Sequence, residues 1–196
     1  MAKVVDAERR RTDLAEAVWR VVRREGLAGA SVRGVAREAG LSMGSLRHYF
    51  GTQSELLSFA MRMIIHRIER RVSALQLPQE PREAAEVVLT ELLPLDSERA
   101  VENEVWLAFT ARALVDPELR ALRDESHDLL RQACRRWVLE LLGDRQPTDL
   151  EIDIETERLF ALLDGLAVHA AMRPTECSPK RQRAVLSRHL DELALR

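Results

Sequence analysis

The stretch from Ser31 to Gln53, SVRGVAREAGLSMGSLRHYFGTQ, constrains this chain more than any other. Val32, Val35, Ala36 and Ala39 recur at helical spacing, Ser31 stands where an N-cap is wanted, and Gly40 where a left-handed residue closes a helix. Leu41 then opens a turn and Ser42 caps a second helix, on which Leu46, Tyr49 and Phe50 fall at i, i+3 and i+4. Val35, Ala36, Leu41, Leu46 and Phe50 are expected to pack together and hold the two helices at a steep angle. That is helix-turn-helix geometry, and its second helix is the one shaped for a DNA major groove.

Met43, Gly44, Ser45, Arg47 and His48 are left on the outer side of the second helix. Small residues permit close approach to a base edge or sugar. Arg47 can grip guanine or phosphate, and His48 and the Tyr49 hydroxyl can donate to phosphate oxygens. The amide end at Ser42 adds an anion site. An ordinary surface hairpin of helices carries a similar pattern, so the flanking chain has to decide between the two.

Upstream, a helix is expected over about 6–25, stopping at Gly26. Leu14, Ala17, Val18, Val21 and Val22 form its apolar stripe, with Arg9, Arg10, Arg11, Arg20 and Arg24 around the rest. Arg10 and Arg11 are candidates for backbone phosphate, although an arginine run is also an ordinary solvated face. Downstream, Thr52 and Glu55 make a capping box for a long helix over about 53–75, a mechanical link to whatever follows. Charge supports this reading. Residues 1–53 hold ten basic and six acidic side chains, whereas residues 54–196 hold twenty and twenty-six. A basic head can bind phosphate by counterion release while an acidic remainder discourages indiscriminate sticking.

Further helices are expected at about 81–93, 97–115, 117–143, 150–172 and 179–194, separated by Pro94, Asp116-Pro117, Gly143 with Pro147, and the Pro174 to Pro179 stretch. No strand pattern is evident, so the fold expected is all-α with about nine helices. It divides into a helix-turn-helix DNA-binding domain, residues 1–52, and a larger helical ligand-binding and dimerisation domain, residues 53–196. No apolar run is long enough to span a bilayer. The opening MAKVVDAERRRTDLAEAV has no apolar core after its charges, and Cys134 and Cys177 are far apart. A cytoplasmic protein without membrane attachment is expected.

In this order and spacing, Gly26, Ser31-Val32, Val35-Ala36, Ala39-Gly40-Leu41-Ser42, Gly44, Leu46, Tyr49-Phe50 and Glu55-Leu56-Leu57 resemble the TetR family of one-component transcriptional regulators. The segments WLAFTARAL, DPELRALRDE and RLFALLDGLAVHAAMRP are similar to the BetI-type C-terminal domains of that family. The resemblance implies DNA contact by Ser31, Arg33, Ser42, Met43, Gly44, Ser45, Arg47, His48, Tyr49 and Gln53. Two positions depart from the family pattern. Arg47 stands where tyrosine is usual and adds charge. Gln53 stands where lysine is usual and leaves an amide donor and a helix N-terminus in its place. Tyr49 can equally be a half-buried packing residue.

The resemblance also implies a homodimer on a palindromic double-stranded operator, and a small-molecule effector of unknown identity. Leu159, Leu163, Leu166, Ala170, Leu186 and Leu190 are the candidates for a dimer interface, with closure of the subunit's own core as the alternative. Met61, His66, Trp106, Phe109, Thr110, Trp137, Phe160 and His169 are the large or polar residues available to line an effector pocket, and they also suit an ordinary core. The acidic run Asp149, Glu151, Asp153, Glu155, Glu157 is explained by a helix N-terminus. No catalytic constellation, metal-ligand spacing or cofactor motif is expected. The reading is a repressor released by its effector, rather than an enzyme. The rival is a helical DNA-binding or protein-interaction module without an effector.

Overall fold

The computed structural model describes residues 2–29, 31–47 and 49–195, with side chains for all of these except 2–12, 27–29 and 144. The described residues contain nine α-helices and two short 3-10 turns, and none of them is in a strand. The helices are α1 (Ala2–Gly29), α2 (Val32–Glu38), α3 (Met43–Arg47), α4 (Gln53–Ser73), α5 (Pro81–Thr90), α6 (Ser97–Ala113), α7 (Arg120–Leu142), α8 (Asp149–Met172) and α9 (Pro179–Leu195). They form two compact units. The first comprises Met1–Arg67 with Glu104–Arg120, and the second Ile68–Asn103 with Ala121–Arg196. Both α4 and α6 therefore run from one unit into the other.

The expected stop at Gly26 is present as an interruption. Gly26 lies at φ 68, outside the helical region, and α1 continues beyond it to Gly29. In the first unit, Leu14, Ala17, Val18, Val21 and Val22 of α1 are all buried, together with Leu56, Ala60 and Ile64 of α4. Trp19 of α1 is buried as well, and the Arg67 guanidinium lies over its ring at 4.2 Å. The face carries the charge of α4 without exposing the indole.

The core of the second unit is aliphatic. Ala85 and Leu89 of α5, Val138 of α7, Leu159 of α8, and Leu186 and Leu190 of α9 have no exposed surface. Arg82 fastens α5 to α9, reaching Asp191 at 2.7 Å, the Ser187 hydroxyl at 2.6 Å, and Glu86 on its own helix. Near the end of α4, Arg71 holds Glu102 of α6 with both terminal nitrogens at 2.7 Å and Glu91 at 3.0 Å. Arg99 completes the network from the other side of Glu91 at 3.1 Å. Glu102 is nearly inaccessible, so this fork supplies the charge that its burial requires.

The acidic run is accounted for within the same unit. Glu151 and Thr148 cap α8 reciprocally, Asp153 pairs with Arg131 and Arg135, and Glu155 with Arg158. Cys134 is fully buried, and burial pushes its thiol up to about 12. Among the described residues no helix is long and apolar enough to cross a membrane, and no side chains are grouped to hold a metal ion.

Leu190 of α9 lies in the second unit's core with no exposed surface. Leu190→Ala is expected to cost about 2–5 kcal/mol, the usual range for a buried leucine, read as a lower urea midpoint with unchanged slope.

Candidate nucleic-acid interface

A helix of five residues such as α3 has too few internal hydrogen bonds to persist by itself. Its position is imposed from both ends. At the α2 end, Ser31 Oγ accepts from Gly34 N at 3.1 Å and starts the helix, as its sequence position predicts. The α2 terminus then closes through Leu41 N to Ala36 O at 2.9 Å and Gly40 N to Arg37 O at 3.3 Å. This paired pattern needs a left-handed residue, and Gly40 provides it at φ 64. The next residue but one, Ser42, caps α3 by accepting from Ser45 N at 3.0 Å, with the two serine hydroxyls 2.9 Å apart.

Leu46 fixes the inner side of α3 with no exposed surface, against a core that includes Val35 and Ala36 of α2. Tyr49 N and Phe50 N both donate to Leu46 O, at 2.8 and 2.9 Å, which ends the helix in a tight turn. Phe50 is buried and its ring lies 5.0 Å from that of Phe59 on α4. Thr52 then caps α4 by accepting from Glu55 N at 3.1 Å, while the Glu55 carboxylate turns back to Gly51 N. That reach is one residue further than the capping box predicts.

Leu41 departs from expectation. It is 37% exposed, as is Met43, so the inner cluster is formed without a buried Leu41. The left-handed step at Gly40 turns the chain outward there, and Leu41 borders the outer surface beside Met43. Ser31, Arg33, Ser42, Gly44, Ser45, Arg47 and Gln53 are exposed as well, and Tyr49 is half-buried. His48 lies outside the described residues, and the side chains of Arg10 and Arg11 do too.

Charge on this unit is sorted in a way the sequence does not reveal. Glu38, at the end of α2, receives Arg20 at 2.8 Å and Arg24 at 2.9 Å, both from α1. The Arg20 guanidinium, seconded by Arg24, holds the Glu38 carboxyl below its usual range. Arg24 also meets Glu25, and Arg37 lies 3.7 Å from that same carboxylate. Neither Arg33 nor Arg47 has a carboxylate partner among the described residues. Arg33 and Arg47 are both exposed, as are Ser31, Ser42 and Ser45.

The eight pocket candidates fall in both units. Met61, His66, Trp106, Phe109 and Thr110 belong to the first, where Met61 and Phe109 are buried, Trp106 and Thr110 are half-buried, and His66 is exposed. Trp137, Phe160 and His169 belong to the second, the two aromatic residues buried and His169 exposed. The open groove of about 300 Å³ in the first unit has a different lining that includes Tyr49, Ser54, Phe59, Arg62 and Glu118. Of the interface candidates, Leu159, Leu163, Leu166, Leu186 and Leu190 are buried in their own subunit's core, and Ala170 packs partly against it. A second copy resting on α8 or α9 would meet the opposite side of these helices.

Comparison with known proteins agrees with the geometry. Residues 14–58 match the model of bacterial regulatory proteins of the tetR family, and residues 81–195 that of the BetI-type transcriptional repressor C-terminal domain. The HTH-type transcriptional regulator PksA of Bacillus subtilis is 40% identical over 197 residues, covering 100% of this chain and 95% of its own. A transcriptional regulator from Rhodococcus sp. Rha1 superimposes with a TM-score of 0.80 at 30% identity, over 94% of this chain and 96% of its own. The multidrug binding protein EbrR, solved in complex with ethidium, gives a TM-score of 0.66 at 28% identity, over 92% and 97%. The chain belongs to the TetR family of transcriptional regulators, with a BetI-type C-terminal domain.

The Glu38 clamp has a testable pH signature. A carboxyl held low in the folded state adds stability above its unfolded value, and that gain is lost as pH falls through the folded value. Glu38→Gln is therefore expected to lower the thermal midpoint at neutral pH. The difference from the parent should close as the solution is acidified below the ordinary carboxylate range.

Proposed function

We propose that this protein is a homodimeric, cytoplasmic repressor that places two copies of α3 in successive major grooves of a palindromic operator and is released by a small-molecule effector. The observation that carries the DNA-binding part is the pairing pattern of the head. Arg20 and Arg24 of α1 are engaged by Glu38 and Glu25, whereas Arg33 and Arg47 are exposed with no carboxylate partner among the described residues. In this reading Gly44 and Ser45 admit the helix to the groove, Arg47 meets guanine or phosphate, and Ser31, Arg33, Tyr49 and Gln53 meet the backbone. His48 keeps the place that the family resemblance gives it.

The dimer is supported by the outward side of α8. Leu150, Ile154, Ala161, Gly165, Val168 and Met172 fall within about 60° of one another at 3.6 residues per turn. All are exposed or half-exposed, Leu150 at 69% and Met172 at 76%. Gly165 lies in mid-helix, where it costs up to about 1 kcal/mol relative to alanine. Nothing in its own chain requires it, since an added methyl would meet no atom within 4 Å. Close approach of a second helix gives that glycine a purpose. Release by an effector is supported by the family and by the ethidium complex of EbrR, and needs a coupling of about 1–3 kcal/mol between the two sites.

The deciding experiment is selection from sheared genomic DNA by the purified protein at about 150 mM salt, a range in which nonspecific phosphate contacts are weakened. Enrichment of a few palindromic sites is expected. Uniform recovery would favour a sequence-independent binder, and no recovery would count against DNA binding by the protein alone. On an enriched site, Arg47→Ala should weaken binding by about 1–3 kcal/mol. Gly165→Arg should sediment as a folded monomer, and a variant that stays dimeric would remove α8 from the interface.

A further inference from the structure

Ser54 and Asp116 are the two buried polar side chains among the described residues of the first unit. They are 7% and 8% exposed, and Ser54 Oγ donates to Asp116 Oδ2 at 2.5 Å. Arg112 Nε reaches the same oxygen at 3.3 Å, and Glu118 N donates to Oδ1 at 3.1 Å. The Glu118 bond is an ordinary cap for the 3-10 turn Pro117–Leu119, which would form without Ser54. The Ser54 hydroxyl is the added element. It holds the Asp116 carboxyl below its usual range and joins residues 62 apart in the chain.

An apolar pair could fill this place and hold it equally well. A hydroxyl donating to a carboxylate adds direction, fixing the height and rotation of the helix turn that bears it. That turn is the first of α4, next to Gln53 and to the caps at Thr52 and Gly51. Asp116 stands three residues past the end of α6, a helix that enters this unit from the other one.

We propose that Asp116 is a positioning residue for DNA binding. Through Ser54 it sets the first turn of α4 at the height where Gln53 meets the DNA backbone, so that the α6 terminus and the DNA-facing turn shift as one piece. The proposal rests on the DNA-binding reading above.

The test uses the full chain and a genomic fragment that the parent protein retains, with binding followed by fluorescence anisotropy over a series of KCl concentrations. Ser54→Ala removes the bond and leaves the Asp116 cap intact. It is expected to weaken binding about fivefold or more, at the lower edge of typical coupling between sites, with the salt slope unchanged because the Gln53 amide is uncharged and releases no counterion. Asp116→Asn combined with Ser54→Ala should be no weaker than the weaker single variant, since both act through one bond. In a Gln53→Ala background Ser54→Ala should weaken binding no further, whereas Leu57→Ala, which thins the core without touching the bond, should act alike in both backgrounds. A Ser54→Ala protein with the parent's affinity overturns the proposal, as does one that loses as much affinity in the Gln53→Ala background as in the parent. A parent protein that retains no fragment overturns the DNA-binding reading, and the positioning role with it.

Discussion

Burial of Leu46 beneath a five-residue helix is the contact on which the candidate DNA surface depends. Complete burial of a leucine contributes about 1.5–3 kcal/mol, more than the few hydrogen bonds inside α3 can add. The contact works only because the chain reaches α3 at the right angle, and that angle comes from Gly40 in the left-handed region and the paired carbonyl bonds of the α2 terminus. The serine cap at one end and the Phe50–Phe59 contact at the other then leave α3 a single seat. Rigidity of this kind suits a reading surface. A helix free to rock would lose to ordering entropy the free energy that hydrogen bonds to the bases supply.

The distribution of charge follows the same division between holding and reading. Glu38 draws Arg20 and Arg24 onto the α1–α2 seam. In the second unit, Arg71, Arg99 and Arg82 are drawn into networks with Glu102, Glu91 and Asp191. An arginine held by a carboxylate has its donors committed and its field largely cancelled, so it attracts phosphate weakly. Arg33 and Arg47 keep both donors and field. A near-neutral protein can thus present a locally basic surface without an excess of basic residues overall, because acidic partners are assigned to some arginines and withheld from others.

Most of the helical framework was legible in the sequence, since its signals are local. Proline and glycine breaks, the Ser31, Ser42 and Thr52 caps and the 3.6-residue periodicity act within a few residues, and the helices begin and end close to where they predict. What was missed depends on contacts made across long separations. The Leu159, Leu163, Leu186 and Leu190 stripes were visible, but periodicity says that a face is covered, never by what. On α8 the apolar residues extend around much of the circumference, with Leu150, Ile154, Ala161, Gly165, Val168 and Met172 outside and Leu159, Leu163 and Leu166 within, so periodicity alone does not separate the two faces. Leu41 looked like core because it is apolar and follows a helix, whereas the left-handed step before it turns the chain outward. The Glu38 clamp and the Ser54–Asp116 pair join residues up to 62 apart, and nothing in either neighbourhood names its partner.

The two ends of α4 are held by bonds of different kinds, and the difference bears on how a signal could travel. Near its end, in the second unit, Arg71 grips a nearly inaccessible Glu102 through two short bonds and Glu91 through a third. Stripping one partner from a buried pair of this type costs about 3–5 kcal/mol, so that end resists being parted from α6. Near its start, in the first unit, a single hydroxyl from Ser54 meets a carboxylate that Arg112 and the Glu118 amide also satisfy. Asp116 would remain hydrogen-bonded if Ser54 let go, and Ser54 could turn its hydroxyl back to its own helix. Release at this end leaves no charge stranded. The hydroxyl therefore adds direction to a turn that buried Leu56 and Leu57 already hold in place, and that turn is the one that carries Gln53.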